Sequence, residues 1–267
     1  MSARTRHRLM MAVVWAFLLF LFLPVLVVIP VSVTDKTYLS LPADGISFAH
    51  YASLVDPARD WVPSFRNSVL AAFATAIIAT AIAAAFAVGA WIRVGWWPSS
   101  VRLLMLSPLI VPPIIYAVGV VRVLSKMSML DTFWGVLVVH VVLSLPMAFL
   151  AIAASLSNLD NRMVTAARSL GARPMTIFGR VILPNIAPGL AAGAFLAFIT
   201  SWDEITVTLF ITARHFVTLP RRIYTSITDS IDPALAAIAS VLLIATMAVL
   251  IAQSLFSGRH KRAGSPK

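Results

Sequence analysis

Asp203 and Glu204 stand side by side in a run, Ala187 to Phe210, that is otherwise apolar or small. Ionisable side chains are costly in such surroundings and face a cavity, a partner or a pathway. Carboxylates there suit a cation, because they can balance ammonium groups during passage, with Ser201 and Trp202 beside them. They serve equally well as hydrogen-bonding groups between helices, or as partners for Arg or Lys of another subunit, and residue type does not choose between these roles. His140, inside another apolar stretch, suits either a proton relay or a hydrogen-bonded packing position, and no acid stands at helical spacing from it.

Several chemistries lack their residues. The sequence has no Gly-x-x-x-x-Gly-Lys-Ser/Thr phosphate loop and no Gly-Lys dipeptide, so it does not cradle ATP phosphates by that route. It also has no His-Glu-x-x-His, no Gly-x-Ser-x-Gly, no paired His cluster and no cysteine. No catalytic residue, metal site or disulfide is therefore assigned, and the chain is not read as an enzyme.

The elements that must position these residues are membrane spans. The 267 residues are 60% hydrophobic and 12% charged, with mean hydropathy +0.93, outside the balance of a soluble globular domain. The pattern predicts an all-α integral membrane protein, one transmembrane domain over 1–267, with six spans at about 9–33, 69–92, 101–121, 133–154, 187–210 and 233–255. The first run continues through Pro24 and Pro30 without a small-residue cleavage site, so it reads as an uncleaved helix rather than a signal peptide. Residues 34–66 read as a polar extramembrane loop, and the Ala-rich second span suits close helix packing. Gly95, Trp96, Trp97 and Pro98 read as a tight interfacial turn, and the third span is interrupted by Pro108, Pro112 and Pro113. That interruption fits either a packing kink or a break lining a watery path.

Charge decides the orientation. Arg4, Arg6, Arg8, Arg93, Arg102, Arg162, Arg168, Arg173, Arg180, Arg259, Lys261, Arg262 and Lys267, 13 of the 21 Lys and Arg, fall on the side of the termini, against one acid, Asp160. The positive-inside rule makes that side cytoplasmic. The net charge of +11 is thus an orientation signal rather than a nucleic-acid footprint. The basic tail from Arg259 reads as disordered.

One segment on that side, residues 158–184, is too polar to span. Asp160 or Asn161 can cap a short helix with Met163, Ala166, Ala167 and Leu170 along one stripe, and Gly171 stops it. Pro174 can start a second helix with an apolar stripe of Met175, Phe178, Val181 and Ile182, until Pro184 and Pro188 redirect the chain into the membrane. Such a basic two-helix elbow either rests on anionic headgroups or docks a cytoplasmic protein.

The string Ala166-Ala-Arg-Ser-Leu-Gly-Ala172, the nine residues between Gly171 and Val181, and Leu183-Pro184 resemble the coupling loop of ABC importer permeases of the MetI-like, binding-protein-dependent type. That loop reads Glu-Ala-Ala, three residues, Gly, nine residues, Ile-x-Leu-Pro. Further likeness lies in Phe65-Arg-Asn-Ser68, Leu130-Asp-Thr132, Ser201-Trp-Asp-Glu204, Thr218-Leu-Pro220 and Ile223-Tyr224, and is greatest to spermidine/putrescine permeases. Two positions depart: Thr165 stands where the family has Glu, and Val181 where it has Ile.

The resemblance implies the type I importer permease fold, with the elbow (Thr165, Ala166, Ala167, Arg168, Leu170, Gly171, Ala172, Arg173 and Phe178) inserted into an ATPase subunit. It implies two ATPase subunits that hold Mg-ATP, a second permease chain forming a heterodimer, an extracytoplasmic solute-binding protein, and the bacterial inner membrane with both termini cytoplasmic. The solute is a polyamine or another small organic molecule, with Ser201, Trp202, Asp203 and Glu204 on its path. Arg221, Arg222 and Tyr224 either meet the binding protein or form a solvated surface helix. The rival class is a secondary transporter using Asp203, Glu204 and His140 as a proton or ion relay.

Overall fold

The computed structural model describes residues 3–92, 96–229 and 231–263. Among them the regular structure is helical throughout. The chain divides into two compact units, residues 1–62 with 223–267, and residues 63–222, where the sequence alone suggests one domain.

In the first unit, α1 (Ala3–Ser32) lies along α12 (Ala234–Ala263), with the Ser240 hydroxyl donating to the Val28 carbonyl at 3.2 Å. The Ser32 and Tyr51 hydroxyls, 2.7 Å apart, tie the end of α1 to the short α2 (Ala49–Leu54). Arg59 pairs with Asp232 at 2.7 Å and closes the same end. None of the residues in the apolar window of α1 is buried within this chain, so lipid or another protein must cover it. Residues 259–263 continue α12 rather than forming a disordered tail; residues 264–267 lie outside the described residues.

The second unit is built on α6 (Phe133–Ser157), whose apolar window is 56% buried, the largest share of any span. Against it, antiparallel, runs α9 (Leu183–Asp203), and the contact is set by small residues four apart: Gly189, Gly193 and Ala197. A Cβ on Gly189 would lie 2.4 Å from the Ser155 Cβ, and one on Gly193 would lie 3.1 Å from the Ala148 carbonyl oxygen. Only glycine lets the two backbones come this close, where dispersion rather than water drives packing. The Ser144 hydroxyl adds a bond to the Ala197 carbonyl at 3.3 Å. Helix α3 (Trp61–Ile92) contributes Ala71, Ala72, Ala76, Ala79, Ala83 and Ala87, all buried.

Among the described residues five helices are long and apolar enough to cross a membrane, and a bent pair makes a sixth where it is counted as one span. That pair, α4 (Trp96–Leu106) with the 3₁₀ turn Ser107–Leu109, and α5 (Pro113–Lys126), turns through 101°, because Pro112 and Pro113 supply no N–H to carry a helix across. The interruption expected in the third span over 101–121 is thus a sharp corner, whose tip, Leu109 to Ile115, is exposed on this chain. Residues 96–98 open α4 instead of making a turn, while Arg93 and Gly95 lie outside the described residues. The second span starts at Trp61, so the region read as loop already holds α2 and the first two turns of α3. At 32 residues α3 is about 48 Å long, well beyond the ~30 Å of a hydrocarbon core.

Candidate functional site

The fifth span does not run unbroken to Phe210. Helix α9 ends at Asp203, Glu204 is extended (φ −70°, ψ 111°), and a separate short helix, α10 (Thr206–Ile211), follows and packs against α5. Two devices hold this break. The Glu204 carboxylate turns forward and accepts the Val207 N–H at 2.7 Å, satisfying a donor at the start of α10. His140 of α6, 1% exposed, bridges the halves, with Nδ1 2.8 Å from the Ser201 hydroxyl and Nε2 3.0 Å from the Thr208 hydroxyl.

Donor counting assigns the tautomer. The Thr208 proton goes to the Glu204 carbonyl at 3.2 Å, so Thr208 accepts from His140 Nε2–H, and Nδ1 accepts from Ser201. The histidine is thus a neutral clasp whose partners are hydroxyls. The bonds end on the Glu204 backbone carbonyl, not on its carboxylate, which gives a proton relay no acidic terminus.

The acid pair lies nearer one mouth of the bundle than the sequence alone suggests. Ser201 meets His140, the eighth residue of the antiparallel α6, so Asp203 stands within about 10 Å of the N-terminal end of that helix. Trp202 likewise touches Phe65, in the second turn of α3, with ring centroids 5.8 Å apart. Asp203 is exposed and forms no ion pair among the described residues; Glu204 and Trp202 are half-buried, and Ser201 is buried.

At the opposite end of α6 the elbow forms. Helix α7 (Asn161–Ser169) is capped by Asp160, whose carboxylate accepts the Arg162 N–H at 2.8 Å. It ends in a left-handed residue, Gly171 (φ +75°), with Gly171 N–H on the Arg168 carbonyl at 2.9 Å and Ala172 N–H on the Ala167 carbonyl at 3.0 Å. The expected stripe faces mostly away from the core. The buried residue of α7 is Val164, whereas Met163 is 47% and Leu170 is 88% exposed. In the next helix α8 (Pro174–Ile177) Ile177 packs inward and Met175 is 79% exposed. Ala166, Arg168 and Arg173 are also exposed, while Ala167, Ala172 and Phe178 are half-buried against the core. Thr165 is exposed, and its hydroxyl is spent on the Asn161 carbonyl at 3.1 Å.

Pro184 and Pro188 do not end the helix. Helix α8 passes through a π turn, Phe178–Ile182, into α9, so helical backbone runs unbroken as one 30-residue rod from Pro174 to Asp203. Proline is tolerated there because Pro184 falls in the first turn after the π turn, where the extra residue has already displaced the ladder. The rod joins elbow and acid pair with no break in its helical backbone.

Residues 76–262 match the family described as the binding-protein-dependent transport system inner membrane component, a stretch that includes both elbow and break. The chain belongs to this family. It is similar to the spermidine/putrescine transport system permease protein PotC of Haemophilus influenzae, 26% identical over 250 residues, covering 94% of this chain and 95% of that protein. The PotC of Escherichia coli K12 is 32% identical over 154 residues, 58% of each chain, and the putrescine permease PotI of the same strain is 26% identical over 235 residues, 84% of this chain and 82% of PotI. A solved bacterial ABC transporter involved in import of the polysaccharide alginate shares the fold, at TM-score 0.67 and 15% identity over 97% of this chain and 98% of that one. The chain is an ABC importer permease of the inner membrane, in a family that works with ATPase subunits and a solute-binding protein.

In this permease, three residues that chemistry-first reading passes over fix the segment facing the acid-pair end. Asp131, at φ +57°, accepts the N–H groups of Ala213, Arg214, His215 and Phe216 at 2.7 to 3.2 Å, and its own N–H bonds the Ile211 carbonyl at 2.8 Å. Burial opposes its charge, but the four donors outweigh that and hold the carboxyl down at about 2. Asn67 donates to the Val217 carbonyl at 3.1 Å, and Ser68 accepts the Leu219 N–H at 2.8 Å. All three sit in strings that carry the family resemblance, which was the available signal. The segment they pin leads into α11 (Leu219–Asp229), where Arg221 bonds the Thr212 hydroxyl, Arg221 and Arg222 are half-buried, and Tyr224 is 44% exposed.

Proposed function

We propose that this permease imports a polyamine, with spermidine or putrescine as the type, through a path whose outer mouth carries Asp203 and Glu204. The observation that carries this reading is Asp203: an exposed carboxylate at the end of a membrane helix, near one mouth of the bundle and without an ion pair among the described residues, is placed to receive a cation. The names of the similar permeases support the same solute class.

The termini and elbow are cytoplasmic in this reading, by the charge asymmetry. The apolar knob of Met163, Leu170 and Met175, ringed by Arg162, Arg168 and Arg173, docks in an ATPase cleft; exposed methionine and leucine outside a membrane favour a protein partner over water. With Thr165 in place of Glu, docking rests on these apolar contacts and not on a salt bridge from that position. Two ATPase subunits hold Mg-ATP, a related second permease completes the path, and the binding protein meets Arg221, Arg222 and Tyr224 on α11. Closure of the ATPase pair would push the rod from Pro174 to Asp203 as one body, which transmits motion from elbow to mouth.

The test is uptake into proteoliposomes holding the permease pair, its ATPase and its binding protein. Radiolabelled putrescine or spermidine enters with ATP and binding protein present, and Asp203→Asn with Glu204→Gln lowers that uptake without loss of assembly. Import driven by a proton gradient without the ATPase would overturn the reading.

A further inference from the structure

We propose that Phe65, Trp202, Phe198 and Phe73 form an aromatic track that carries a polyammonium chain inward from Asp203 by cation–π contact. This rests on the polyamine reading above. The rings touch in series between α3 and α9. Phe65 meets Trp202 edge to face at 5.8 Å (84°), Trp202 stacks on Phe198 at 6.0 Å (13°), and Phe198 meets Phe73 at 5.0 Å (64°). The series has a direction. Phe73 lies eight residues beyond Phe65 on α3, about 12 Å further from the acid-pair mouth, and Phe198 lies one turn deeper than Trp202 on α9.

Two of these rings stand at an exposed rim: Phe65 is 41% and Phe73 is 57% exposed, whereas Trp202 and Phe198 are half-buried and Phe198 packs against the core. Hydrocarbon lipid is a poor occupant of that rim at the level of Trp202, because Asp203, the next residue, is exposed and ionisable. A polyamine satisfies both demands. Its ammonium groups take the carboxylate and the electron-rich ring faces, and its methylenes lie on the ring edges. Ammonium groups joined by three or four methylenes stand about 5 to 6 Å apart by ordinary bond lengths, and the ring centroids repeat at 5.0 to 6.0 Å. Several weak sites at that interval allow a chain to step along without being trapped, as conduction through any path requires.

Ring electronics provide the test. Phe198 is replaced by mono- and trifluorophenylalanine, near-isosteric rings with progressively less negative faces, and initial putrescine uptake is read in the complete reconstituted transporter. Uptake falls stepwise, by about two- to five-fold at the trifluoro ring, while the same replacements at Phe149, a buried core ring outside this series of ring contacts, leave it unchanged. Uptake indifferent to fluorination at position 198 overturns the track while leaving the polyamine reading standing. Failure of the unmodified transporter to take up putrescine or spermidine overturns the reading underneath and the track with it. Co-purification with the ATPase confirms that each variant assembles.

Discussion

Asp131 holds four consecutive backbone N–H groups with one carboxylate, and this makes its charge a stability element. Its folded value, about 2, lies below the ordinary 3.8, so its contribution is complete above about 4 and is lost as pH falls toward 2. Asp131→Asn keeps the left-handed backbone, which Asn tolerates, but removes the charge; we expect a loss of about 2 kcal/mol and a flatter stability profile between pH 4 and pH 2, measured by thermal unfolding in detergent. An equal pH response in wild type and variant would show that the cradle carries no charge-dependent stability. Gly171 poses the opposite case. No atom lies within 4 Å of its missing Cβ, so a side chain there meets open space on this chain, and the constraint is the φ of +75°. Gly171→Asn should therefore fold and retain ATPase co-purification better than Gly171→Val, whose β-branched side chain opposes that φ and costs at least 1 kcal/mol. Equal capture of both would locate the constraint in the partner's cleft. The glycine was legible from its spacing; that Leu170 beside it points outward was not, because an amphipathic stripe does not say whether its apolar face meets the core or a partner.

Among the elements, the break after Asp203 was hidden because Ser201-Trp-Asp-Glu204 and Thr206 to Ile211 are all compatible with helix, and no Gly or Pro marks the interruption. It exists because tertiary partners satisfy it: Glu204 supplies an acceptor to α10, and His140 reaches across from α6. Close packing was read only into the Ala-rich second span, and the contact at Gly189, Gly193 and Ala197 was missed, since small residues say how near a neighbour comes but not which neighbour it is. His140→Leu removes both cross-links, and we expect a loss of about 1 to 2 kcal/mol in detergent unfolding with faster hydrogen exchange over Thr206–Ile211. His140→Gln, which can still donate and accept, should recover much of both. A relay behaves differently: there the Gln variant would be stable and inactive in transport, and that result would remove the clasp as the role of this residue.

For the whole molecule, the number of spans and the elbow were legible in hydropathy and charge, while the two-unit division and the 101° corner depend on packing that hydropathy does not encode. Orientation rests on the distribution of Lys and Arg, which acts during insertion and leaves no mark on the coordinates. It is open to direct measurement because the chain has no cysteine, so any thiol introduced is the only one present. Gly45 is exposed with open space where its Cβ would stand, and Asn161 is exposed at the start of the elbow, so Gly45→Cys and Asn161→Cys should both fold. In intact spheroplasts a membrane-impermeant maleimide should label Gly45→Cys and spare Asn161→Cys, and inside-out vesicles should reverse the pattern. Both thiols should react after solubilisation, which separates shielding by the membrane from burial in the protein. Labelling of Asn161→Cys in spheroplasts would put the elbow outside, beyond reach of any cytoplasmic ATPase, and the rod from Pro174 to Asp203 could then carry no ATP-driven motion to the mouth.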